Sequence, residues 1–215
     1  MTMDYRLNPR SIEEESFRII RNRLLGHRFG PGEQTVVERV IHATADFSYA
    51  ETLRFSPEAV SSGVAALQRG CTVVTDTRMA WAGINRSLLR SLGVRLLCAL
   101  DAEGVEVVSR AQGVTRAMVS MKMVAERERE ALFLVGNAPT ALFALVKLFE
   151  EGKIVPPLIV GVPVGLVGAK EAKDALRGTS IPSITTVGSR GGTPVAVAIL
   201  HALLYLALGE SHGRG

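Results

Sequence analysis

Cysteine is nearly absent from this 215-residue chain: Cys71 and Cys98 are the only two. That is too few for a disulfide-stapled secreted scaffold, and each lies in an apolar run that reads as a buried thiol. Aromatic residues make up 5%, so platforms that stack bases or sugars are not expected. No CxxC, HxH or HxxxH spacing occurs, and a dedicated metal site is not expected. No GxGxxG follows the first strand candidate, and no GxxxxGK[ST] or GxSxG occurs anywhere. The start, Met1 to Arg6, lacks the apolar core of a leader peptide. The most apolar stretch, Pro194 to Gly209, is shorter than the ~20 residues needed to span a membrane. It reads as a buried helix, and the expected location is cytoplasmic.

What is present describes a globular chain. Hydrophobic residues are 47% and charged residues 21%, which excludes generic disorder. A chain of this mass buries about 70% of its extended surface, enough for one core. The expected organisation is a single domain over 1–215. The net charge of +4 fits an acidic small molecule, and without a Lys/Arg cluster no nucleic acid or membrane partner is expected.

Spacing places helices first. Ser11 with Glu14 is a capping-box pair opening a helix to about Leu25. Glu33–Ala45 carries an apolar stripe, and Ser56-Pro57 opens a helix running to about Arg69. Beyond residue 70 short apolar runs alternate with helical patterns. Strands are expected at Cys71–Thr75, Val94–Leu100, Ala131–Val135, Pro157–Val160 and Ser183–Val187. Helices are expected at Arg86–Leu92, Val114–Arg129, Thr140–Glu150, Ala169–Leu176 and Pro194–Leu208. The runs are apolar without strict alternation, as in strands covered on both faces. The fold class is therefore α/β: a three-layer α/β/α sandwich with a mostly parallel, five-stranded sheet. A helical N-terminal part, about 11–70, packs on the α/β part at about 71–208.

Ligands in such folds bind outside the carboxyl ends of the strands. Four loops fall there. They are Thr75-Asp76-Thr77-Arg78-Met79, Gly136-Asn137-Ala138-Pro139-Thr140, Gly161-Val162-Pro163-Val164-Gly165, and Gly188 to Thr193 with Arg190 and Gly191. Each has a plainer reading: glycine and proline turn the chain, Asp76 caps a helix, and Asn137 satisfies backbone groups. As a set they mark one edge as the site. His42, near the end of the second helix, is suited to donate and retake a proton near neutral pH. Asp46, one turn on, is placed to raise its pKa; the alternative is a hydrogen-bonded histidine at a helix end. His201 reads as core or dimer packing, His27 lies in a loop, and His212 lies in a polar tail. Arg116 opens a rather apolar helix and needs a carboxylate, from substrate or from the chain itself.

The same residues resemble a known family. The chain is similar to precorrin-8X methylmutases, including their cobalt-precorrin-8 counterparts, over about residues 8 to 208. The resemblance rests on Glu15-Ser16-Phe17 with Ile19-Ile20, Arg39 to Thr44 with Asp46, and Thr75-Asp76 with Met79 and Gly83-Ile84. It continues in Gly136 to Leu142, Gly161 to Gly165 with Ala169-Lys170-Glu171, and Arg190-Gly191-Gly192. The order of the Gly-Asn-Ala-Pro-Thr-Ala and Pro-Val-Gly strings behind the histidine is specific. The chain departs from the pattern at Ala45 (often glycine), Leu166 (phenylalanine), Ala172 (serine) and His201 (asparagine).

The resemblance implies an isomerase without a cofactor. It moves a methyl group from C-11 to C-12 of a tetrapyrrole by a 1,5-sigmatropic shift. The product is hydrogenobyrinic acid, or cobyrinic acid for the cobalt form. It implies His42 as proton donor. Taken with the rim and arginine readings above, the expected substrate-binding positions are Ser16, Thr44, Asp46, Thr75, Asp76, Arg78, Met79, Arg116, Gly136, Asn137, Pro139, Thr140, Gly161, Pro163, Arg190 and Gly191. No metal ligand is implied. A homodimer is, and neighbouring corrin-pathway enzymes are candidate partners. Three other classes compete: a non-catalytic polycarboxylate or tetrapyrrole binder, separated by lack of turnover; a methyltransferase, separated by need for a methyl donor; and an assembly protein, separated by lack of a ligand.

Overall fold

A computed structural model of the chain describes residues 8–210; the expectations for the first residues and for His212 lie outside these. The first helix, α1 (Pro9–Arg23), starts earlier than the Ser11–Glu14 spacing predicts. Asn8 is its cap: its Oδ1 accepts the Arg10 amide at 3.0 Å, and Pro9 takes the first helical position, where a missing N–H costs nothing. Ser11 Oγ donates instead to the Asn8 carbonyl at 2.9 Å. Then come α2 (Glu33–Thr44), a one-turn α3 (Tyr49–Thr52), β1 (Leu53–Phe55) and α4 (Ala59–Gln68). Ser56 does not open α4. Its amide donates to Ser183 O at 2.9 Å and its Oγ accepts the Ser183 amide at 2.7 Å, extending the β1 pairing.

The α/β part runs β2 (Thr72–Thr75), α5 (Arg78–Gly83), α6 (Arg86–Ser91), β3 (Arg95–Cys98), α7 (Val105–Gln112) and α8 (Arg116–Arg127). It continues β4 (Leu132–Val135), α9 (Pro139–Glu150), β5 (Ile159–Gly161), α10 (Ala169–Arg177), β6 (Ser183–Thr186) and α11 (Thr193–Ala207). The sheet has six strands rather than five, in the order β1-β6-β5-β4-β2-β3. The five expected strands are parallel; the sixth, β1, lies antiparallel to β6 at the edge.

Side-chain alternation explains the layers. Val73, Leu132, Leu134 and Val160 enter one core with α1, α2, α4 and α11. Val74, Phe133, Val135 and Ile159 enter the other with α8, α9 and α10. Both sets are apolar because both faces are covered. Each such side chain, fully buried, contributes about 1.5–3 kcal/mol. The helix α11 is buried along most of its length and carries the N-terminal helices on the sheet. No helix among the described residues is long and apolar enough to cross a membrane.

Candidate active site

The chain leaves β3 and passes over β2 to form β4, so the strand order reverses between β2 and β4. That reversal opens a crevice at the carboxyl edge. Asp76 fills it. Its side chain is 1% exposed. Oδ1 accepts the Gly136 amide at 3.2 Å, and Oδ2 accepts those of Asn137 and Ala138 at 2.7 and 2.9 Å. Burial pushes the Asp76 carboxyl up, against the pull of these amides. Thr75 is equally buried, its Oγ1 donating to Thr77 O and Leu97 O. The residue that caps the next helix is Thr77, which accepts the Ala80 amide at 3.2 Å. The result is a rigid β4–α9 loop with Asn137 exposed at its tip and Pro139 and Thr140 half-buried behind it.

The neighbouring loops interlock through glycine. Gly136 is packed so closely that an added Cβ would lie 2.9 Å from the Thr193 Cα. At Gly191 (φ +147°) an added Cβ would run into the Val162 carbonyl, so only glycine fits. Gly192 donates to Val162 O at 2.8 Å and Gly165 to Ser189 O at 3.1 Å, holding the loops after β5 and β6 together. Gly161 lies deeper, against Leu142 and Leu176, where it allows close strand–helix packing. Pro163 is buried, while Leu166 and Val167 beyond it are among the most exposed apolar side chains described.

His42 lies in the last turn of α2, the helix whose end meets this edge through Asp46 and Arg190. Its imidazole stacks on Phe17 with ring centroids 4.8 Å apart and planes 13° from parallel. The far side of that environment is built from charge and rings: the Arg39 guanidinium lies 4.8 Å from the Phe17 centroid and 4.8 Å from that of Tyr205. Ser16, beside Phe17, donates to Ile12 O at 2.8 Å. The helix stops at Ala45, which adopts φ +54°. Thr44 Oγ1 donates to Val40 O at 2.8 Å and accepts the Asp46 amide at 3.2 Å. Asp46 thereby turns toward the β6–α11 loop. Its carboxylate accepts the Ser48 amide at 2.9 Å and pairs with the Arg190 guanidinium, which also bonds Ser48 Oγ. Ser48 first, and Arg190 with it, hold the Asp46 carboxyl below its ordinary value. Tyr49 lies in the same cluster, its phenol pushed up by burial and by the Asp46 charge.

The remaining expected positions lie toward the other end of the edge. Arg78 is exposed and pairs with Asp101 at 2.7 Å, and Met79 is exposed beside it. Arg116, at the start of α8, is exposed and lies 3.5 Å from Glu106. The adjacent Thr115 Oγ1 is 2.7 Å from Thr140 Oγ1, tying α8 to α9. His201 is half-buried, and its Nε2 accepts the Asn85 amide at 3.0 Å. A cleft of about 620 Å³ opens at the opposite end of the sheet, between Gly70–Thr72 and Arg127–Ala131. Its Cys71 thiol is pushed up to about 11, chiefly by burial.

Two residues of this edge were not singled out by sequence. Ser48 has no local signature. Lys173 does: it lies among Ala169, Ala172 and Leu176 on the buried side of α10, where a lysine is out of pattern.

Known proteins agree with this architecture. The family model described as precorrin-8X methylmutase matches residues 11–206. A cobalt-precorrin-8 methylmutase from Leptospira interrogans is 42% identical over 206 residues, covering 92% of this chain and 94% of the relative. One from Salmonella typhimurium is 41% identical over 209 residues, covering 94% and 98%. A precorrin-8X methylmutase from Pseudomonas aeruginosa is 36% identical over 203 residues, covering 94% and 97%. The crystal structure of a precorrin-8X methylmutase from Thermus thermophilus superposes with a TM-score of 0.87 at 42% identity. It covers 96% of this chain and 100% of that one. With a match of this extent in sequence and fold, the chain belongs to the precorrin-8X and cobalt-precorrin-8 methylmutase family, isomerases that shift a methyl group within a tetrapyrrole.

Proposed function

We propose that His42 protonates a polycarboxylate tetrapyrrole beside the ring that carries the migrating methyl, and takes the proton back after migration. The substrate is precorrin-8X or its cobalt form, and the product hydrogenobyrinic or cobyrinic acid. Substrate and product are isomers: the methyl–carbon bond at C-11 breaks as the bond at C-12 forms, and the macrocycle gains conjugation. No external methyl donor, oxidant or reductant enters that balance, and a lone acid suffices. A shaped pocket holds the two carbons in register for intramolecular transfer.

The observation that carries this reading is the placement of His42. It lies one turn before the Ala45 reversal that joins α2 to the carboxyl edge through Asp46 and Arg190. The stack on Phe17 limits the ways the imidazole turns. Arg190, Arg78 and Arg116 are half or more exposed and stand along one edge, and their present carboxylate partners are exposed enough to yield to acetate and propionate arms. Asn137 projects between them. Asp76, Thr75, Gly136 and Gly161 act by shaping the loops, and Ser16, Thr44 and Met79 line the approach. The exposed Leu166 and Val167 beside Pro163 favour a second copy of the chain as their cover, and we read the working form as a homodimer.

The test is a visible-spectrum assay of purified protein with precorrin-8X, and separately with its cobalt form, without added methyl donor. The conjugated corrin spectrum is the expected result with at least one of them. Binding with an unchanged spectrum would leave only a tetrapyrrole-binding module. Dependence on an added methyl donor would make the protein a transferase.

A further inference from the structure

The β6–α11 loop that carries Arg190 is held to the β5 loop at Ser189 and Gly192, but between those two points its backbone is rich in glycine. Gly188, Gly191 and Gly192 all have positive φ, and Arg190 itself is exposed. Its carbonyl, however, is clamped. Lys173 Nζ donates to Arg190 O at 2.6 Å and to Thr186 Oγ1 at 3.1 Å, and Thr186 Oγ1 donates to Arg190 O at 2.7 Å. Lys173 is 0% exposed and forms no salt bridge among the described residues. The adjacent Asp174 pairs instead with Arg177.

Stability does not explain that lysine. Burying an ammonium without a counter-charge opposes folding, and an apolar chain of equal length avoids the cost. Burial, with Arg177 adding to it, lowers Lys173 to about 8, the mark of an unfavourable site. A methionine there would leave no orphan: the Arg190 carbonyl would keep the Thr186 hydroxyl, and that hydroxyl would keep its acceptor.

We propose that Lys173 is a positioning residue for the methyl shift, its ammonium fixing the Arg190 carbonyl so that the guanidinium stands beside Asp46 and Ser48, aimed at a substrate carboxylate. The inference rests on the reading of Arg190 as a carboxylate contact. The main chain is gripped on one side of the loop and the guanidinium reaches out on the other; without the ammonium only the neutral Thr186 bond holds the carbonyl, and this looser grip lets the side chain wander without removing its charge.

The test compares Lys173→Met, Thr186→Val, Arg190→Gln and Lys173→Met/Arg190→Gln in steady-state kinetics on the tetrapyrrole substrate, with thermal unfolding alongside. Loss of one charge-assisted contact corresponds to a KM about tenfold higher. Lys173→Met should raise KM by that order with kcat within about twofold and with Tm unchanged or higher. Thr186→Val should raise KM in the same direction, and the double variant should be no worse than Arg190→Gln alone. An unchanged KM in Lys173→Met and Thr186→Val, with a raised KM in Arg190→Gln, overturns the role of Lys173 and leaves Arg190 as the contact. An unchanged KM in all the variants removes Arg190 from the site and the inference with it. A Lys173→Met protein that unfolds or melts markedly lower makes the lysine a stability element and equally overturns the proposal.

Discussion

Asp76→Asn is a one-atom test of how the crevice is closed. The carboxylate is an acceptor facing three amide donors: Gly136 on Oδ1, and Asn137 and Ala138 on Oδ2. An asparagine offers one acceptor and one donor group. With its oxygen toward Asn137 and Ala138 it keeps two bonds and turns an NH2 on the Gly136 amide. An orphaned buried donor costs about 1–3 kcal/mol, and exchanging charged for neutral acceptance costs about 1 kcal/mol at each remaining bond. Removing a buried charge returns part of this, leaving about 2–4 kcal/mol of destabilisation. For a chain of this length that corresponds to a Tm about 8 °C lower, measured by scanning calorimetry at pH 7. Asp76→Ala, which orphans all three amides, should fall further. Well below Tm, Asp76→Asn should also lose kcat/KM, because the loop that presents Asn137 loosens. A Tm within about 1 °C of the parent would refute the reasoning, for a cost of this size cannot hide in so small a shift.

Other outcomes follow from single positions. Ala45→Gly should raise Tm by about 2 °C. Ala45 is exposed with φ +54°, and relief of left-handed strain, about 1–2 kcal/mol, exceeds the glycine's entropy cost of about 0.5–1 kcal/mol; a lower Tm contradicts this. His201 is pushed down to about 4, first by burial and then by the Arg39 charge. The unfolded chain therefore binds the proton first, and stability present above pH 6.5 is lost as pH falls toward 4, by about 2–3 kcal/mol. In urea unfolding at pH 6.5 and about 4.5, His201→Asn should lose less stability between the two than the parent by roughly that amount. Equal slopes would show that His201 does not titrate as its burial and its Asn85 bond require.

The five parallel strands were legible because consecutive residues such as Val73 and Val74 serve opposite cores, and that leaves an unbroken apolar run. The sixth was not: β1 has three residues, too few for any period, and exists because β6 offers it an edge. Three helices were also missed. The four residues of α3 are a single turn, the six residues of α5 sit in the Arg78–Met79 stretch that reads as a rim loop, and α7 is eight residues long and mostly exposed, with Val105 alone buried. The carboxyl edge itself was readable from glycine, proline and polar residues following each strand. The partners were not, since Asp76 and its amides are sixty residues apart in the chain. The departure at Ala45 carried more than it showed: the helix ends left-handed there, and alanine bears a strain that glycine avoids. Lys173 was visible as a charge on an apolar helix face, but its target, a backbone carbonyl, leaves no trace in sequence.

The central claim is that His42 supplies the proton for an intramolecular methyl shift. His42→Ala tests it most directly, in the visible-spectrum assay with a parallel titration of the corrin product. The account predicts turnover lower by about 10²–10⁴-fold, the worth of a positioned general acid, with product affinity largely intact because the arginines and loop amides remain. Turnover near that of the parent would contradict it and move the acid elsewhere on this edge.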